Sequence, residues 1–228
     1  MQNVLVVAAH PDDEILGCGG TIAKHVKNGD IVNVVILVEG VTSRDKNRDI
    51  SNRNEELSRL GDIAKKANGF LGVDSLNLHD FPDNCLDSLD RLDLIKKVEE
   101  FIKKFNPQIV YTHHCGDVNI DHRRIHEAVV TACRPIPNHC VKRLLFFEVA
   151  SSTEWQTSYF VSSFVPNYFV DISNFLDLKL KALEIYKCEM RDYPHARSIE
   201  ALKYLAKWRG VSVGVKAAEA FILGREIN

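Results

Sequence analysis

The segment that most restricts the fold of this chain runs from Val4 to Glu14, VLVVAAHPDDE. Its six apolar residues, rich in valine, read as a β-strand buried on both faces, as in the middle of a parallel sheet. That strand runs straight into one imidazole and three carboxylates. Carboxylates at the end of a buried strand are costly to desolvate unless a counter-charge neutralises them. A divalent cation does so, and a mixed His/Asp donor set suits zinc best, with other divalent first-row metals acceptable. The plainer alternative is an acidic loop with an N-capping Asp. A second His/Asp group, from Asp117 to His122, favours the metal because it follows another expected strand.

The rest of the pattern alternates. Gly17-Cys18-Gly19-Gly20 lets a helix leave the first strand closely, and residues 21–28 continue it up to Asn28-Gly29. Further strands are expected at 31–38, 75–78, 108–112, 142–149, 168–172 and 218–223. Helices are expected at 52–67, 89–105, from the second His/Asp group to 133, at 173–190 and at 198–209. Residues 39–50 form a polar loop with Arg44, Asp45, Lys46 and Arg48 near the site, and residues 79–84 form a turn-rich loop. The alternation predicts an α/β fold: a Rossmann-like three-layer sandwich with a mostly parallel sheet and helices on both faces. Ligands in such sheets sit at the carboxyl ends of strands, where the strand order reverses. If the order begins 3-2-1-4-5, the first and fourth strands are neighbours at that point. His10, Asp12 and Asp13 then meet the segment from Asp117 to His122.

Composition narrows the function. The 228 residues suit one domain, taken as 1–228. A net charge of −2 without a Lys/Arg block argues against nucleic acid as a partner. No charged and apolar leader precedes the first strand, and no apolar run is long enough to span a membrane. Cys18, Cys85, Cys115, Cys133, Cys140 and Cys188 form no CxxC pair and suggest no disulfide framework. They read as reduced thiols of a cytoplasmic enzyme. A GxGxxG dinucleotide fingerprint is absent.

A catalytic zinc takes about three protein ligands and keeps a position for water, whose pKa it brings to about 7. A carboxylate outside the coordination shell must then accept the proton. The Asp12-Asp13 pair can supply one of each, and spacing alone does not say which is which. His122, at the start of a helix after Asp121, is a rigid place for a third ligand.

AHPDDE at residues 9–14, followed by Asn119-Ile-Asp121-His122, resembles the PIG-L/LmbE-like zinc-dependent N-deacetylases. The resemblance extends in outline along the chain, including Arg53-x-x-Glu56 and the Ala-Glu-Ala-Phe at 218–221. It implies that His10, Asp13 and His122 hold the metal. Asp12 would be the general base and later help protonate the leaving amine. Glu14 and Asp121 would orient ligands from behind, and Arg53 would hold polar groups of the substrate. One departure matters: Asn119 stands where many members carry a His that stabilises the oxyanion. An amide donates a hydrogen bond but has no proton to give. Either Asp12 does all the proton transfer, or another imidazole, His114 or His195, fills in.

Arg197 and His195, in the turn-like stretch 191–197, are expected to grip hydroxyls or phosphate from a substrate lid. Trp155 and Trp208 are expected in the core, with sugar stacking the lesser alternative. His126 is expected to face solvent or Glu127, and His25, His79 and His139 to lie on the surface or in loops. The activity implied is removal of an N-acetyl group from an amino sugar or its nucleotide-, lipid- or small-aglycone-linked conjugate. The alternatives are another metal-dependent amidase or phosphoesterase on the same fold, or a non-catalytic sugar-binding relative. A homo-oligomer is a further option of the resemblance, with no interface signature in the sequence.

Overall fold

The computed structural model describes residues 1–44, 53–157 and 162–228. The expectations for Asp45, Lys46 and Arg48 fall outside them. Seven strands form one sheet: β1 (Asn3–Ala8), β2 (Ile31–Val38), β3 (Ser75–Phe81), β4 (Ile109–His113), β5 (Arg143–Phe147), β6 (Tyr168–Asp171) and β7 (Ala218–Glu226). Their order is β3-β2-β1-β4-β5-β7-β6. The first five strands of that order are parallel, while β7 runs antiparallel to β5 and β6 antiparallel to β7. The helices are α1 (Asp13–Lys27), α2 (Asn54–Leu71), α3 (Arg91–Phe105), α4 (Ile120–Ala132), α5 (Leu176–Ile185) and α6 (Ile199–Val211).

The valine run behaves as its composition requires. Side chains alternate across a strand, so Val4, Val6 and Ala8 enter one core layer with Ile15, Ile22, Leu60 and Leu183. Leu5, Val7 and Ala9 enter the other, with Leu94, Val98, Ile125 and Val129. The sheet is thus covered by α1, α2, α5 and α6 on one face and by α3 and α4 on the other. Each fully buried Val or Leu of β1 contributes on the order of 1.5–3 kcal/mol.

The elements differ from expectation mainly at their ends. Helix α1 begins at Asp13, directly after the turn, and bends at Cys18 (φ −147°, ψ 26°). Its glycines are there for contact rather than as a loop: a Cβ on Gly17 would lie 2.3 Å from the Phe147 ring, and one on Gly20 2.8 Å from Ile172. Strand β3 runs on to Phe81, which pairs with Val38 past a register shift, so His79 lies in a strand. Helix α5 covers only the middle of the span 173–190.

β1 and β4 are hydrogen-bonded neighbours, from Val4 opposite Ile109 to Val7 opposite Thr112. Strand order reverses between them, with β2 and β3 on one side and β5 on the other. The crevice at their carboxyl ends is where the functional side chains gather.

Candidate metal centre

At the end of β1 the chain turns sharply. Asp12 has φ 109°, left-handed backbone that an L-residue adopts only under constraint. The Glu14 carboxylate accepts from the Asp12 N–H (3.0 Å) and helps hold that turn. Glu14 also accepts from Asn68 Nδ2 and the Tyr186 hydroxyl, both at 2.8 Å, and burial pushes it up to about 7. Asp13 is the first residue of α1, where the helix dipole favours a carboxylate.

Asp13 Oδ2 is the centre of the cluster. It lies 3.1 Å from His10 Nδ1 and 3.1 Å from His122 Nε2. Each imidazole turns its other nitrogen to a further carboxylate. His10 Nε2 is 3.1 Å from Asp121 and 3.2 Å from Asp83, and His122 Nδ1 is 3.1 Å from Asp117. Those carboxylates are themselves fixed. Asp121 accepts the backbone N–H groups of Asn84, Cys85 and Leu86 at 2.6, 3.1 and 3.0 Å. Asp117 accepts the hydroxyls of Ser152 and Thr153 and the N–H of Asn119.

A divalent ion fits this donor set. The ligating atoms of His10, Asp13 and His122 lie within 4.8 Å of one another. The edge of a tetrahedron with metal–ligand bonds of ~2.0–2.1 Å is roughly 3.3–3.4 Å, close to the separations seen here. His122 Nε2 is buried and, although Asp13 Oδ2 is 3.1 Å away, makes no well-aligned hydrogen bond among the described residues, which leaves it open to a cation. Backing each ligating imidazole with a carboxylate is how proteins fix ligand tautomer and orientation.

The electrostatics agree. Burial opposes a charge on His10, but its hydrogen bonds to Asp121, Asp13 and Asp83 raise it well above the ordinary histidine value. His122 is likewise penalised by burial, yet Asp13 and Asp117 lift it to about 9. Burial works against ionised Asp13 too, but His122 and His10 hold it well below the usual carboxylate range. The field that draws protons onto these imidazoles equally favours a bound cation, which would displace those protons.

Asp12 differs from its neighbour. Burial raises it, with Asp13, Glu189 and Glu14 adding to the rise and Arg197 opposing it. Adjacent carboxylates whose environments push them apart are suited to different roles. Arg197 Nη1 donates to Asp12 Oδ2 at 3.1 Å and its Nε to Ser151 Oγ at 2.9 Å. His10, Asp12, Asp13, His122 and Arg197 border one cavity of about 330 Å³, with Asn119, Ser152 and Trp155 in its walls.

Residues 5–133 match the family model described as PIG-L: GlcNAc-PI de-N-acetylase, more than half of the chain. This chain belongs to the PIG-L family. A similar family relative is the uncharacterized deacetylase YaiS of Escherichia coli K12, 30% identical over 82% of this chain and 91% of its own. The diacetylchitobiose deacetylase of Thermococcus kodakarensis is 28% identical over 96% of this chain and 82% of its own. Among solved structures, GalB of Pseudomonas putida KT2440, a 4-carboxy-2-hydroxymuconate hydratase, superposes with TM-score 0.75 at 21% identity. That match covers 100% of this chain and 98% of GalB, and it speaks to the fold alone.

Against this family background, the remaining expected residues fall in three groups. Asn119 caps α4, its side-chain oxygen accepting the Asp121 N–H at 2.8 Å, and it lines the cavity. Arg197 also lines the cavity, and its guanidinium donates to Asp12 and Ser151. Arg53, His114 and His195 are not in the cavity wall. Arg53 folds back onto Glu56 one turn along α2 and borders a separate hollow with Glu55 and Arg59, as an i,i+3 pair favours. His114 Nε2 donates to the Ser162 carbonyl at 2.9 Å, and His195 Nδ1 accepts the Arg197 N–H at 3.0 Å.

The imidazole of the β4 end that does reach the cluster is His113. Its Nε2 accepts the Ala9 N–H at 2.8 Å and its ring stacks on His122 at 4.0 Å, so it braces that imidazole from behind. His126 does not face solvent or Glu127; its Nδ1 donates to the His113 carbonyl at 2.9 Å. His25 is held by Asp30 and the Tyr111 hydroxyl, and His139 by the Ala132 carbonyl. Trp155 and Trp208 are 54% and 67% exposed and are not core residues. Sequence reasoning placed Asp117 in the second His/Asp group but missed its supporting role, and it missed Ser152 and Thr153, for which no periodic or motif signal exists.

Proposed function

We propose that this PIG-L family member is a metal-dependent N-deacetylase that removes the acetyl group from an N-acetylated amino sugar or its conjugate. The observation that carries this reading is the His10–Asp13–His122 group beside Asp12 in a strand-end cavity. The diacetylchitobiose deacetylase among its relatives supports the substrate class. His10, Asp13 and His122 would hold the ion, with zinc favoured by the two-imidazole, one-carboxylate set. When bound, the ion supplies Lewis-acid polarisation and activation of water.

The chain's own residues do the rest. Asp12 takes the proton of the attacking water, and Arg197 holds the carboxylate in place from its Oδ2 side. Asn119 spends its side-chain oxygen on the helix cap, which leaves its Nδ2 free to donate to the carbonyl oxygen as charge develops there. Since an amide passes on no proton, Asp12 returns its proton to the leaving nitrogen. A carboxyl raised by burial suits that return. The water oxygen bonds to the acetyl carbon, the C–N bond breaks, and acetate and a free amine leave.

A two-ion phosphoesterase is disfavoured. The second His10–Asp83–Asp121 group shares His10 with the first, and both Asp121 oxygens already accept backbone N–H groups. One ion per chain is therefore expected. We place the enzyme in the cytoplasm, in keeping with its six free cysteines and with no described helix being long and apolar enough to cross a membrane. The test is acetate release from N-acetylglucosamine and diacetylchitobiose, with and without a chelator. Asp12→Asn should lower kcat by about 10²- to 10⁴-fold while the ion still binds. An undiminished rate in Asp12→Asn, or in chelator-treated enzyme, sinks the proposal.

A further inference from the structure

Trp155 borders the cavity but takes part in no step above. Its indole lines the same hollow as His10, Asp12 and His122 and stays 54% exposed. A large apolar ring held half in water beside a polar site has the character of a ligand contact.

The ring is not loosely placed. The turn that carries it is fastened by Thr153 Oγ1 accepting the Val149 N–H (2.8 Å) and by Glu154 accepting the Ser151 N–H (2.6 Å). The Ser152 and Thr153 hydroxyls tie the same turn to Asp117, behind the ligand His122. His195 meets the indole edge-on, with ring centres 5.6 Å apart and planes at 80°. His195 is itself tied to Arg197, whose Nε donates to Ser151 of the same turn. In a turn, Cα atoms three residues apart lie within about 7 Å. Trp155 is three residues past Ser152, whose Oγ is 3.4 Å from His122 Nδ1. The indole therefore stands at the rim, a short reach beyond the reacting centre. Ser43, Asp83 and Asn84 give other parts of the lining hydroxyl, carboxylate and amide groups. An apolar ring face combined with such groups suits a pyranose, which has a C–H face and a rim of hydroxyls.

Resting on the deacetylase reading, we propose that Trp155 determines specificity as a platform for the sugar ring joined to the one that loses its acetyl group. The reacting ring occupies the polar interior, and the next ring lies against the indole at the rim. This predicts a preference for a glycosylated over a free N-acetylhexosamine.

Steady-state kinetics on N-acetylglucosamine and diacetylchitobiose test it, with Trp155→Ala and Trp155→Phe compared to wild type. In Trp155→Ala the KM for the disaccharide should rise roughly three- to tenfold at nearly constant kcat, with Trp155→Phe recovering most of the loss. Constants for the monosaccharide should not move. An unchanged disaccharide KM, or an equal loss on both sugars, overturns the proposal.

A binding readout separates this from the activity. The chain has two tryptophans, so in Trp208→Phe the emission reports on Trp155 alone. Adding diacetylchitobiose to the Asp12→Asn, Trp208→Phe double variant should quench that emission saturably, and N-acetylglycinamide should not. A saturable response in this variant, where the wild type releases no acetate from either sugar, keeps the platform and removes the deacetylase reading. Acetate release from the disaccharide with no emission response does the opposite.

Discussion

Asp117→Asn probes how His122, the proposed metal ligand, is kept ready. The Asp117 carboxylate accepts from four donors. Oδ1 takes the Asn119 N–H at 2.8 Å and the Ser152 hydroxyl; Oδ2 takes the Thr153 hydroxyl at 2.7 Å and faces His122 Nδ1 at 3.1 Å. An asparagine offers one acceptor and one donor group. Its oxygen must stay with Asn119, because a backbone N–H has nothing else to offer. Its NH₂ group then faces Thr153 and His122. The threonine hydroxyl can rotate and accept. His122 can accept only by moving its own proton to Nε2, the atom whose lone pair faces the cluster.

The substitution therefore works through a tautomer and removes no atom from the metal's reach. Loss of such an outer partner typically weakens metal binding 10- to 100-fold, or about 1.4–2.7 kcal/mol. Above about pH 9, where His122 no longer carries the charge that Asp117 helps to hold, hydroxyl rotation restores the other contacts and the metal-free fold should lose less than about 1 kcal/mol. Zinc titration of metal-free protein against a chromophoric chelator gives the affinity, and melting without metal above that pH gives the stability. Equal affinity in wild type and variant would refute the tautomer argument. So would a stability loss in the metal-free protein as large as the loss in binding.

Three further expectations follow from other contacts. Arg197→Ala leaves Asp12 buried without its cation; since Arg197 is itself partly exposed, the loss should be about 1–3 kcal/mol, below that of a fully buried pair. Melting should fall by roughly 2–10 °C with one ion still bound, and an unchanged melting temperature would count against the pair. Gly17→Ala drives a methyl group to 2.3 Å from the Phe147 ring, so overpacking should cost about 1–3 kcal/mol and lower the melting temperature; a variant as stable as wild type would mean that α1 shifts freely. His126 is lowered by burial despite its bond to the His113 carbonyl. Its folded pKa lies below the unfolded value of about 6.5, so wild type should lose stability relative to His126→Gln as pH falls through about 6.5, levelling off below the folded value. A gap that widens in favour of wild type on acidification contradicts this.

What the sequence discloses depends on whether a position's chemistry or only its backbone is being used. The His/Asp cluster was legible because its side chains are the message: a valine run ending in His10, Asp12 and Asp13 is chemically odd, and the strand order that places β1 beside β4 brings Asp121 and His122 to it. That His113 rather than His114 reaches the cluster needed one more fact. Adjacent residues at a strand end face opposite ways, so the strand register decides that His113 stacks under His122 while His114 turns to Ser162. Arg53 stood out because Arg-x-x-Glu is a motif, and the same spacing also makes the i,i+3 pair with Glu56 that opens α2.

The supports of the site were less legible for a deeper reason. Asp121 is held by the N–H groups of Asn84, Cys85 and Leu86, which almost any residues would supply. Asp117 is held by two hydroxyls in a turn without periodicity. Bonds to backbone leave no trace in residue identity, so the loops that orient the ligands can vary in sequence while keeping the same hydrogen bonds. Substitutions at Asn84 or Cys85 that preserve the local backbone should therefore leave metal affinity intact, whereas a proline at either position removes a donor from Asp121 and should weaken it.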